Sequence, residues 1–404
     1  MRNDLPTRKY VGFARPAEIG ALLRLGPEPL SVFWSNPSRS LHVTGLGVAG
    51  EGGGDVTWLS PLPPVAPPGP WFGGWAFDPS RAWAGFEAER WILPEVLAWW
   101  DGARPWLAAF GPSGTPVEAL ERRLGSVREV EPHTSAFHSR ITPGDRTKWA
   151  ARVDGALAAI AAGTFDKVVL ARAIQLECDR PIPERAVLKA LEARHGQCWS
   201  FLVRGGDGRA FVGASPETLC EASGDSFSTD ALAGTAAGGQ GGGMLHSDKE
   251  RREHQAVVEG ISESLAPFSL ELSAPAAPSV KVLANVDHLF TPVRAKLKAG
   301  VRPLEVARAL HPTPAVAGRP REAALAWLRG HEGFARGWYA GAVGAMGPGG
   351  LTLAVALRSA LLSGARAEVF VGAGLVAGST AEGEWLETER KSKAMLPALG
   401  VHDA

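Results

Sequence analysis

Helical spacing of apolar residues is clearest just after residue 145. Four apolar side chains recur there at intervals of three or four positions, namely Trp149, Val153, Leu157 and Ile160. This period places them on one face of a helix. Asp145 is a residue type that accepts hydrogen bonds at helix N-termini, and Gly163 follows the last apolar position. The pattern therefore predicts a helix that begins after Asp145 and ends at Gly163.

Further helical patterns have recognisable starts. Ser247 or Asp248 can cap a helix that runs to about Leu265, and prolines stand in the first turn of two later segments. The other predicted helices are Glu18–Leu25, Val117–Arg123, Glu184–Arg194, Pro303–Leu310, Pro320–Arg329 and a last one after Gly378.

Short apolar or alternating runs between turn residues predict strands over much of the remaining chain. In the first third they are Leu30–Trp34, Leu41–Val48, Trp71–Phe77, Trp91–Trp100 and Trp106–Phe110. Later they are Asp166–Leu176, Cys198–Val203, Arg209–Val212, Thr218–Ala222, Ser226–Leu232, Val280–Val286, Gly337–Met346, Leu351–Leu361 and Ala367–Gly372. Glycine turns between the four strands of residues 198–232 predict an antiparallel meander, with a glycine-rich loop after it at Ala233–Gly243.

Strands and helices mixed in this way, with several hairpin-like connections, predict an α+β fold. The chain has 404 residues and no internal repeat, so one large domain over residues 1–404 is expected. Within it, residues 1–140 carry the less specific signals, and residues 145–400 carry the motifs described below.

Composition narrows the class of protein without identifying a chemistry. Apolar residues make up 45% of the chain and charged residues 21%, which suits a large globular core. The formal net charge is zero, so neither a nucleic-acid partner nor an acidic membrane surface is expected. We find no apolar run of membrane-spanning length and no signal peptide. Cysteines without metal-ligand spacing favour a reducing cytoplasm; they are Cys178, Cys198 and Cys220.

The first candidate site is a glycine-rich turn near the C-terminus and the helix that follows it. Three glycines there let the backbone approach a ligand closely: Gly372, Gly374 and Gly378. On the helix, Glu384, Glu387 and Lys391 stand at i, i+3 and i+7 and share one face. Such a face could bind a charged ligand. The alternative is a solvated helix face with a Glu387–Lys391 pair.

A second helix repeats the pair of acids. Glu250 and Glu253 stand at i and i+3, as Glu384 and Glu387 do. If the two faces meet, the carboxylates repel one another unless a cation lies between them. A few carboxylates completed by water suit Mg²⁺, whereas a cysteine and histidine cluster for zinc is missing from the sequence. The alternative is that these are unrelated surface acids.

Two ionisable residues lie at the ends of predicted strands. Lys167 precedes an apolar strand, where it could act as a general base with a pKa lowered by burial. The alternative is a lysine that reaches solvent at the sheet edge. Glu217 follows a tight turn and is either an ordinary acid at a strand start or a protonated acid facing a cleft.

Other candidates could bind an anionic ligand. Arg358 lies inside an apolar strand, where an unpaired cation is costly, so we expect it to meet an anion. Backbone N–H groups of Gly234, Thr235 and Gly372 could bind a carboxylate. His288 is more typical of a hydrogen-bonded core histidine than of a ligand-binding one.

Taken together, a set of ordered motifs from about residue 147 to 397 resembles the chorismate-utilising enzyme family. The motifs are Lys167-Val-Val-Leu-Ala-Arg172, Gly213-Ala-Ser-Pro-Glu217, Leu232-Ala-Gly-Thr235, Glu253-His254, His288-Leu-Phe-Thr-Pro292, Leu310-His-Pro-Thr-Pro-Ala-Val316, Trp338-Tyr-Ala-Gly341, Leu357-Arg358, Gly372-Ala-Gly374 and Gly383-Glu-Trp-Leu-Glu387. Each is weak alone, but the ordered set is specific.

Within the family the chain most resembles the isochorismate synthases of the menaquinone type. Ala233 stands where aminodeoxychorismate synthases carry a lysine, and Lys167 stands where ammonia-using anthranilate synthases usually carry glutamine. Tyr339 also occurs in salicylate synthases, so pyruvate elimination stays an alternative. The chain departs from the family at Gly238–Gly243, where the loop is shorter and less charged than usual.

The resemblance implies one α+β domain with two packed, mainly antiparallel sheets and helices outside. It implies a hydroxyl-transferring isomerase that converts chorismate into isochorismate with Mg²⁺. Lys167 would deprotonate the water that attacks C2, and Glu217 would protonate the departing C4 hydroxyl.

The resemblance also implies the binding residues. Glu253 and Glu387 would hold the metal, with Glu250 and Glu384 behind them. The residues expected to bind substrate are Gly234, Thr235, His288, Tyr339, Arg358, Gly372 and Lys391. A monomer or homodimer is expected, and the sequence leaves open the menaquinone and siderophore pathways. A binding protein without activity is the rival of another class.

Overall fold

The computed structural model describes residues 9–12, 30–52, 69, 71–100, 105–109, 139–237, 239–282, 286–347 and 349–401. Six α-helices lie in this part of the chain: α1 (Arg146–Ala161), α2 (Glu184–Arg194), α3 (Asp248–Leu265), α4 (Pro303–Leu310), α5 (Arg321–His331) and α6 (Ala381–Ser392). The helices predicted at Glu18–Leu25 and Val117–Arg123 lie outside the described residues.

Every strand pairing in the described chain is antiparallel, and the strands form two sheets. The twelve-stranded sheet contains β1 (Lys9–Gly12), β2 (Leu30–Asn36), β3 (Leu41–Leu46), β7 (Val96–Trp100), β8 (Pro105–Ala109), β9 (Ser139–Thr142), β10 (Lys167–Cys178), β11 (Trp199–Arg204), β12 (Ala210–Ser215), β18 (Gly318–Arg319), β21 (Ser359–Ser363) and β22 (Arg366–Leu375). The ten-stranded sheet contains β4 (Gly50–Gly52), β5 (Trp71–Trp75), β6 (Glu89–Leu93), β13 (Thr218–Ser223), β14 (Ser226–Ala237), β15 (Ser269–Ser273), β16 (Ser279–Val282), β17 (Val286–Leu297), β19 (Ala342–Gly347) and β20 (Gly350–Val355).

Strand order shows how the sheets are built. The first runs β1-β8-β7-β3-β2-β11-β12-β21-β22-β10-β18, with β9 paired to β10. The second runs β15-β17-β14-β13-β20-β19-β5-β6-β4, with β16 paired to β17. The predicted α+β fold with two antiparallel sheets is therefore confirmed.

The core lies mainly between the two sheets. In β2, Val32 and Trp34 join a large apolar cluster that also contains Phe227 and Leu353 of the second sheet. The intervening Phe33 faces a smaller apolar cluster, which contains residues of α2 and of the helical turn Leu396–Leu399. Successive strand residues point to opposite faces, so the first sheet is covered on both sides.

Helix α1 is the element that sequence patterning predicted best. The Asp145 carboxylate accepts hydrogen bonds from the backbone N–H groups of Thr147 and Lys148 at 2.9 and 3.1 Å. Gly163 has φ of 72°, a left-handed conformation that suits glycine beyond a helix end. Both predicted boundaries are confirmed.

The predicted meander over residues 198–232 is wrong, because its strands divide between the sheets. β11 and β12 pair in the first sheet, whereas β13 and β14 pair in the second. The chain crosses between them at Pro216–Glu217, where proline has no N–H to donate to a sheet ladder. Apolar side chains continue on both sides of the crossing, so periodicity alone did not reveal it.

The predicted strand Leu351–Leu361 is divided in the same way. β20 belongs to the second sheet and β21 to the first, and the chain crosses at Ala356-Leu357-Arg358. Arg358 has φ of 47°, which a regular strand does not allow. β12 pairs with β21 and β13 pairs with β20, so the two crossings lie side by side.

Two further sequence predictions need correction. β14 extends to Ala237, into the predicted loop Ala233–Gly243. The predicted strand Val280–Val286 contains two segments, of which the second, β17, continues well beyond His288. His288 therefore lies within a strand. No helix of the described chain is long and apolar enough to cross a membrane.

Candidate active site

A pocket of about 100 Å³ lies where the two strand crossings meet α3 and α6. Ten of the predicted site residues line it: Lys167, Glu217, Gly234, Glu253, His288, Tyr339, Arg358, Gly372, Glu387 and Lys391. Apolar walls are supplied by Val169, Leu232, Val316, Leu357 and Phe370. The residues come from both sheets and from two helices.

Lys167 begins β10 and is almost completely buried, with 2% of the residue exposed. Its ammonium Nζ lies 2.8 Å from Oε1 of Glu253 on α3. A Cβ atom at Gly374 would lie 3.0 Å from that oxygen and 3.2 Å from Lys167 Cε. Glycine at this position therefore lets the ion pair pack directly against β22. Burial beside a carboxylate excludes the alternative of a lysine that reaches solvent.

Glu217 is held at the first crossing by backbone contacts. Its N–H donates to Ser215 Oγ at 3.2 Å, and its carbonyl accepts from the Val355 N–H at 3.0 Å. Burial, and next the negative charge of Asp230, raise the pKa of the Glu217 carboxyl to about 8. A group with that pKa is mostly protonated at neutral pH and can donate a proton.

Arg358 lies at the second crossing and is fully enclosed by protein, which lowers the pKa of its guanidinium. Its Nη2 is 3.5 Å from His288 Nε2, and its Nη1 is 3.9 Å from Cys198 Sγ. Among the described residues, no carboxylate forms an ion pair with it. A buried cation in this position attracts an anionic ligand.

His288 is neutral because burial, and then the cations of Arg358 and Lys391, lower its pKa to about 3. Arg358 can only donate, so His288 Nε2 accepts and Nδ1 carries the proton. Nδ1 then donates to the carbonyl of Gly234 at 2.8 Å. This places the imidazole firmly between β17 and β14.

Helix α6 contributes a second lysine and carboxylate. The Thr380 hydroxyl caps the helix by accepting from the Gly383 N–H at 3.2 Å. Two turns later, Lys391 Nζ lies 2.6 Å from Glu387 Oε1 and 3.0 Å from the carbonyl of Gly372. The helix face predicted from spacing thus contacts the glycine-rich end of β22.

Tyr339 closes the pocket beside Gly372. The tyrosine is buried, which raises the pKa of its hydroxyl and keeps it protonated. A Cβ atom at Gly372 would lie 2.9 Å from that hydroxyl. The close approach explains why the strand carries glycine there.

Two predicted residues, Glu250 and Glu384, stand apart from the pocket lining. Glu250 lies behind Gly234, whose added Cβ would be 2.8 Å from Glu250 Oε2. Glu384 is buried, with 5% of the residue exposed, but does not line the cavity. The side chain of Thr235 lies outside the described part of the chain.

The donor chemistry of the pocket fits Mg²⁺, although it does not complete a site. Glu253 and Glu387 present carboxylate oxygens to the same cavity, and oxygen is the ligand that Mg²⁺ prefers. Among the described residues, no three metal-ligating side chains lie close enough to hold an ion by themselves. A bound ion would therefore need oxygens from substrate and water.

Sequence reasoning gave no role to Arg336, which also lines the pocket. Its guanidinium pairs with Glu332 at 2.5 Å and donates to the carbonyls of Val169 and Val316 at 2.6 and 2.8 Å. Glu332 in turn accepts from the Ala171 N–H at 2.8 Å. This buried pair hydrogen-bonds β10 to the pocket wall. The i,i+4 spacing of Glu332 and Arg336 is the sequence feature that could have predicted the pair.

The comparisons with known proteins agree with one another. A family model described as "Chorismate binding enzyme" matches residues 66–400. A Pseudomonas aeruginosa protein named salicylate biosynthesis isochorismate synthase is 35% identical, over 96% of this chain and 91% of its own. The Bacillus subtilis isochorismate synthase MenF is 31% identical, over 81% of this chain and 74% of its own.

Solved structures give the same fold. The structure of MenF, the menaquinone-specific isochorismate synthase from Escherichia coli, has a TM-score of 0.83 and 27% identity, and the alignment covers 98% of this chain and 96% of that one. An anthranilate synthase component from Streptococcus pneumoniae, at 21% identity and a TM-score of 0.73, shares the fold alone.

Proposed function

This chain belongs to the chorismate-binding enzymes, and we propose that it converts chorismate into isochorismate. Its relatives named isochorismate synthase support that reaction within the family. We further propose that the whole chain is one catalytic domain, since the matched residues include strands of both sheets.

One observation carries the proposal: a buried lysine and a buried, protonated carboxyl group line the same small pocket. Lys167 is paired with Glu253, whereas Glu217 is kept neutral mainly by burial. A base and an acid that act in one reaction need environments that separate their protonation states. The pocket places the amine and the carboxyl group in two different environments.

The proposed reaction consumes one water and releases another. After its ammonium proton has passed to solvent, Lys167 takes a proton from a water molecule whose oxygen forms a bond to C2 of chorismate. The ring double bonds shift, and the C4–O bond breaks. Glu217 donates its proton to the departing hydroxyl, which leaves as water. Proton exchange with solvent then restores both side chains.

The cationic groups of the pocket suit a dianionic substrate. Arg358, Tyr339 and Lys391 would hold the enolpyruvyl carboxylate, together with the backbone of Gly372. His288 would position the ring or its carboxylate from the opposite sheet. Charge-assisted hydrogen bonds of this kind are stronger than neutral ones and fix the substrate orientation.

Glu253 and Glu387 would hold Mg²⁺, with Glu250 and Glu384 behind them. When bound, the ion would neutralise the ring carboxylate of chorismate and orient the ring. The backbone N–H groups of Gly234, which lines the pocket, and of Thr235 would contact that carboxylate.

The test is turnover of purified full-length protein with chorismate, with and without Mg²⁺, followed by chromatographic separation of the products. We expect isochorismate that depends on Mg²⁺ and no pyruvate. Salicylate with equimolar pyruvate would instead identify a salicylate synthase. Binding of chorismate without any product would favour the rival hypothesis of a protein without activity.

A further inference from the structure

A lysine and an aspartate meet outside the pocket, against the crossing that carries Glu217. Lys281 Nζ of β16 donates to the carbonyl of Pro216 at 3.0 Å. The same nitrogen lies 3.3 Å from Asp230 Oδ2 of β14. Both side chains are about three-quarters buried, with 25% and 20% exposed, and neither lines the cavity. The pair therefore contacts the crossing without contacting the substrate space.

The crossing is held from two sides. On one side, Ser215 Oγ donates to the Val355 carbonyl at 2.5 Å, and the Val355 N–H donates to the Glu217 carbonyl at 3.0 Å. On the other side, Lys281 supplies the hydrogen bond to Pro216. A buried carbonyl without a partner is costly, so loss of the lysine would loosen this side.

Lys281 is itself held in place by its neighbours. It lies opposite His288 in the register of β16 and β17, so both side chains point to the same face of the second sheet. The ammonium is 5.2 Å from the centroid of the Phe290 ring, within the range of a cation–π contact. Asp230 adds the opposite charge.

We propose that Lys281 and Asp230 are positioning residues for Glu217, which hold the crossing in place and balance each other's charge beside the buried carboxyl. The proposal rests on the proposed function, in which Glu217 is the acid. It assigns a task to two residues that do not contact the substrate.

Charges around Glu217 come from several elements. Asp230 is the charged group that raises the pKa of Glu217 most, while Lys281, Lys167 and Lys391 lower it, in that order. Arg358 faces it from the second crossing. Removing Asp230 or Lys281 should thus move the pKa of Glu217 in opposite directions.

The experiment compares the pH dependence of kcat/KM for Asp230→Asn, Lys281→Met and the double variant. Activity that needs protonated Glu217 falls as pH rises through its pKa. We expect the alkaline limb to move down by about half to one pH unit in Asp230→Asn and up by a similar amount in Lys281→Met. The double variant should lie between them, near the wild-type limb.

Two controls separate charge from general damage. Glu184→Gln breaks a similarly buried pair with Arg204, neither member of which lines the pocket, and should leave the alkaline limb unchanged. Lys281→Arg keeps the charge and should return the limb toward the wild-type position. If Lys281→Met does not fold, Asp230→Asn still tests the direction of the shift.

Shifts in the same direction, or no shift in either variant, would overturn the proposal. Glu217→Gln checks that the alkaline limb reports the Glu217 carboxyl, because glutamine does not titrate. The residual activity of this variant should not fall at alkaline pH in the way that wild-type activity does. Full activity in Glu217→Gln would instead overturn the proposed function itself, so the two failures are distinguishable.

Discussion

The two sides of the pocket bury ionisable groups in different ways. On the side of α3 and α6, each lysine lies beside a carboxylate: Lys167 with Glu253, and Lys391 with Glu387. On the side of the strand crossings, burial keeps Glu217, and His288 of the neighbouring β17, neutral, with pKa values of about 8 and 3. A lysine and a carboxylate in contact stabilise each other's charge, whereas burial alone favours the neutral form.

This difference divides the proposed reaction between the two sides. The paired side, formed by α3 and α6, carries the carboxylates that could hold a cation and the lysine proposed to activate water. The crossing side can donate a proton from Glu217 and, through Arg358, bind the negative charge of the substrate. Substitutions on the two sides should therefore have different signatures.

Removing the lysine of the paired side should have the largest effect. Lys167→Met keeps the side-chain volume but removes the group proposed as base, so we expect kcat to fall by about 10³-fold. Steady-state kinetics with chorismate would measure it. Lys189→Met, at an exposed lysine on α2, is the control, and unchanged kcat in Lys167→Met would refute this role.

Glu217→Gln on the crossing side should lower kcat by about 10²-fold while it stabilises the fold. A folded-state pKa raised from 4.5 to about 8 lowers stability progressively as pH rises between those values. Glutamine removes this cost, which is on the order of 3 kcal/mol at pH 7.

Urea unfolding of both proteins measures that prediction. The stability gain of Glu217→Gln should be greatest at pH 8 and above and should vanish below about pH 4.5. A loss of stability at pH 8 would mean that the pKa of the Glu217 carboxyl is not raised in the folded enzyme.

Arg358→Lys tests the cation at the second crossing. Lysine keeps the charge but loses the planar fork that can bind a carboxylate with two hydrogen bonds. We expect KM for chorismate to rise by about 10-fold, with a smaller change in kcat. A decrease confined to kcat would show that Arg358 does not bind the ground-state substrate.

The smallest effect is expected at Gly374, which leaves room for the Lys167–Glu253 ion pair. A Cβ at Gly374 would lie 3.0 Å from Glu253 Oε1, so Gly374→Ala should displace the Lys167–Glu253 pair slightly. We expect kcat to fall a few-fold, to about one-third. Gly330→Ala on α5 meets nothing within 4 Å and should leave kcat unchanged.

The elements with simple periodicity could be predicted from sequence. Helix α1 has both expected ends, and the face that carries Glu387 and Lys391 was read from spacing. Ten predicted site residues line one pocket, although their roles stay predictions. These residues lie on regular elements or in motifs with a family resemblance.

The strand crossings could not be predicted, for a physical reason. Both sheets contribute to one core, so apolar strands stand on each side of Pro216 and of Leu357, and the pattern does not show which sheet each strand joins. What ends the strands there is backbone geometry, including the φ of 47° at Arg358. Lys281 was likewise missed because its partners, Pro216 and Asp230, are distant in sequence.

The most direct measurement is turnover of chorismate in ¹⁸O-labelled water with Mg²⁺, stopped at low conversion and analysed by mass spectrometry. If a solvent water attacks C2 while Glu217 releases the C4 hydroxyl, each isochorismate should carry one ¹⁸O at the C2 hydroxyl. Isochorismate without label would show that the hydroxyl moves within the substrate and would contradict this division of the pocket.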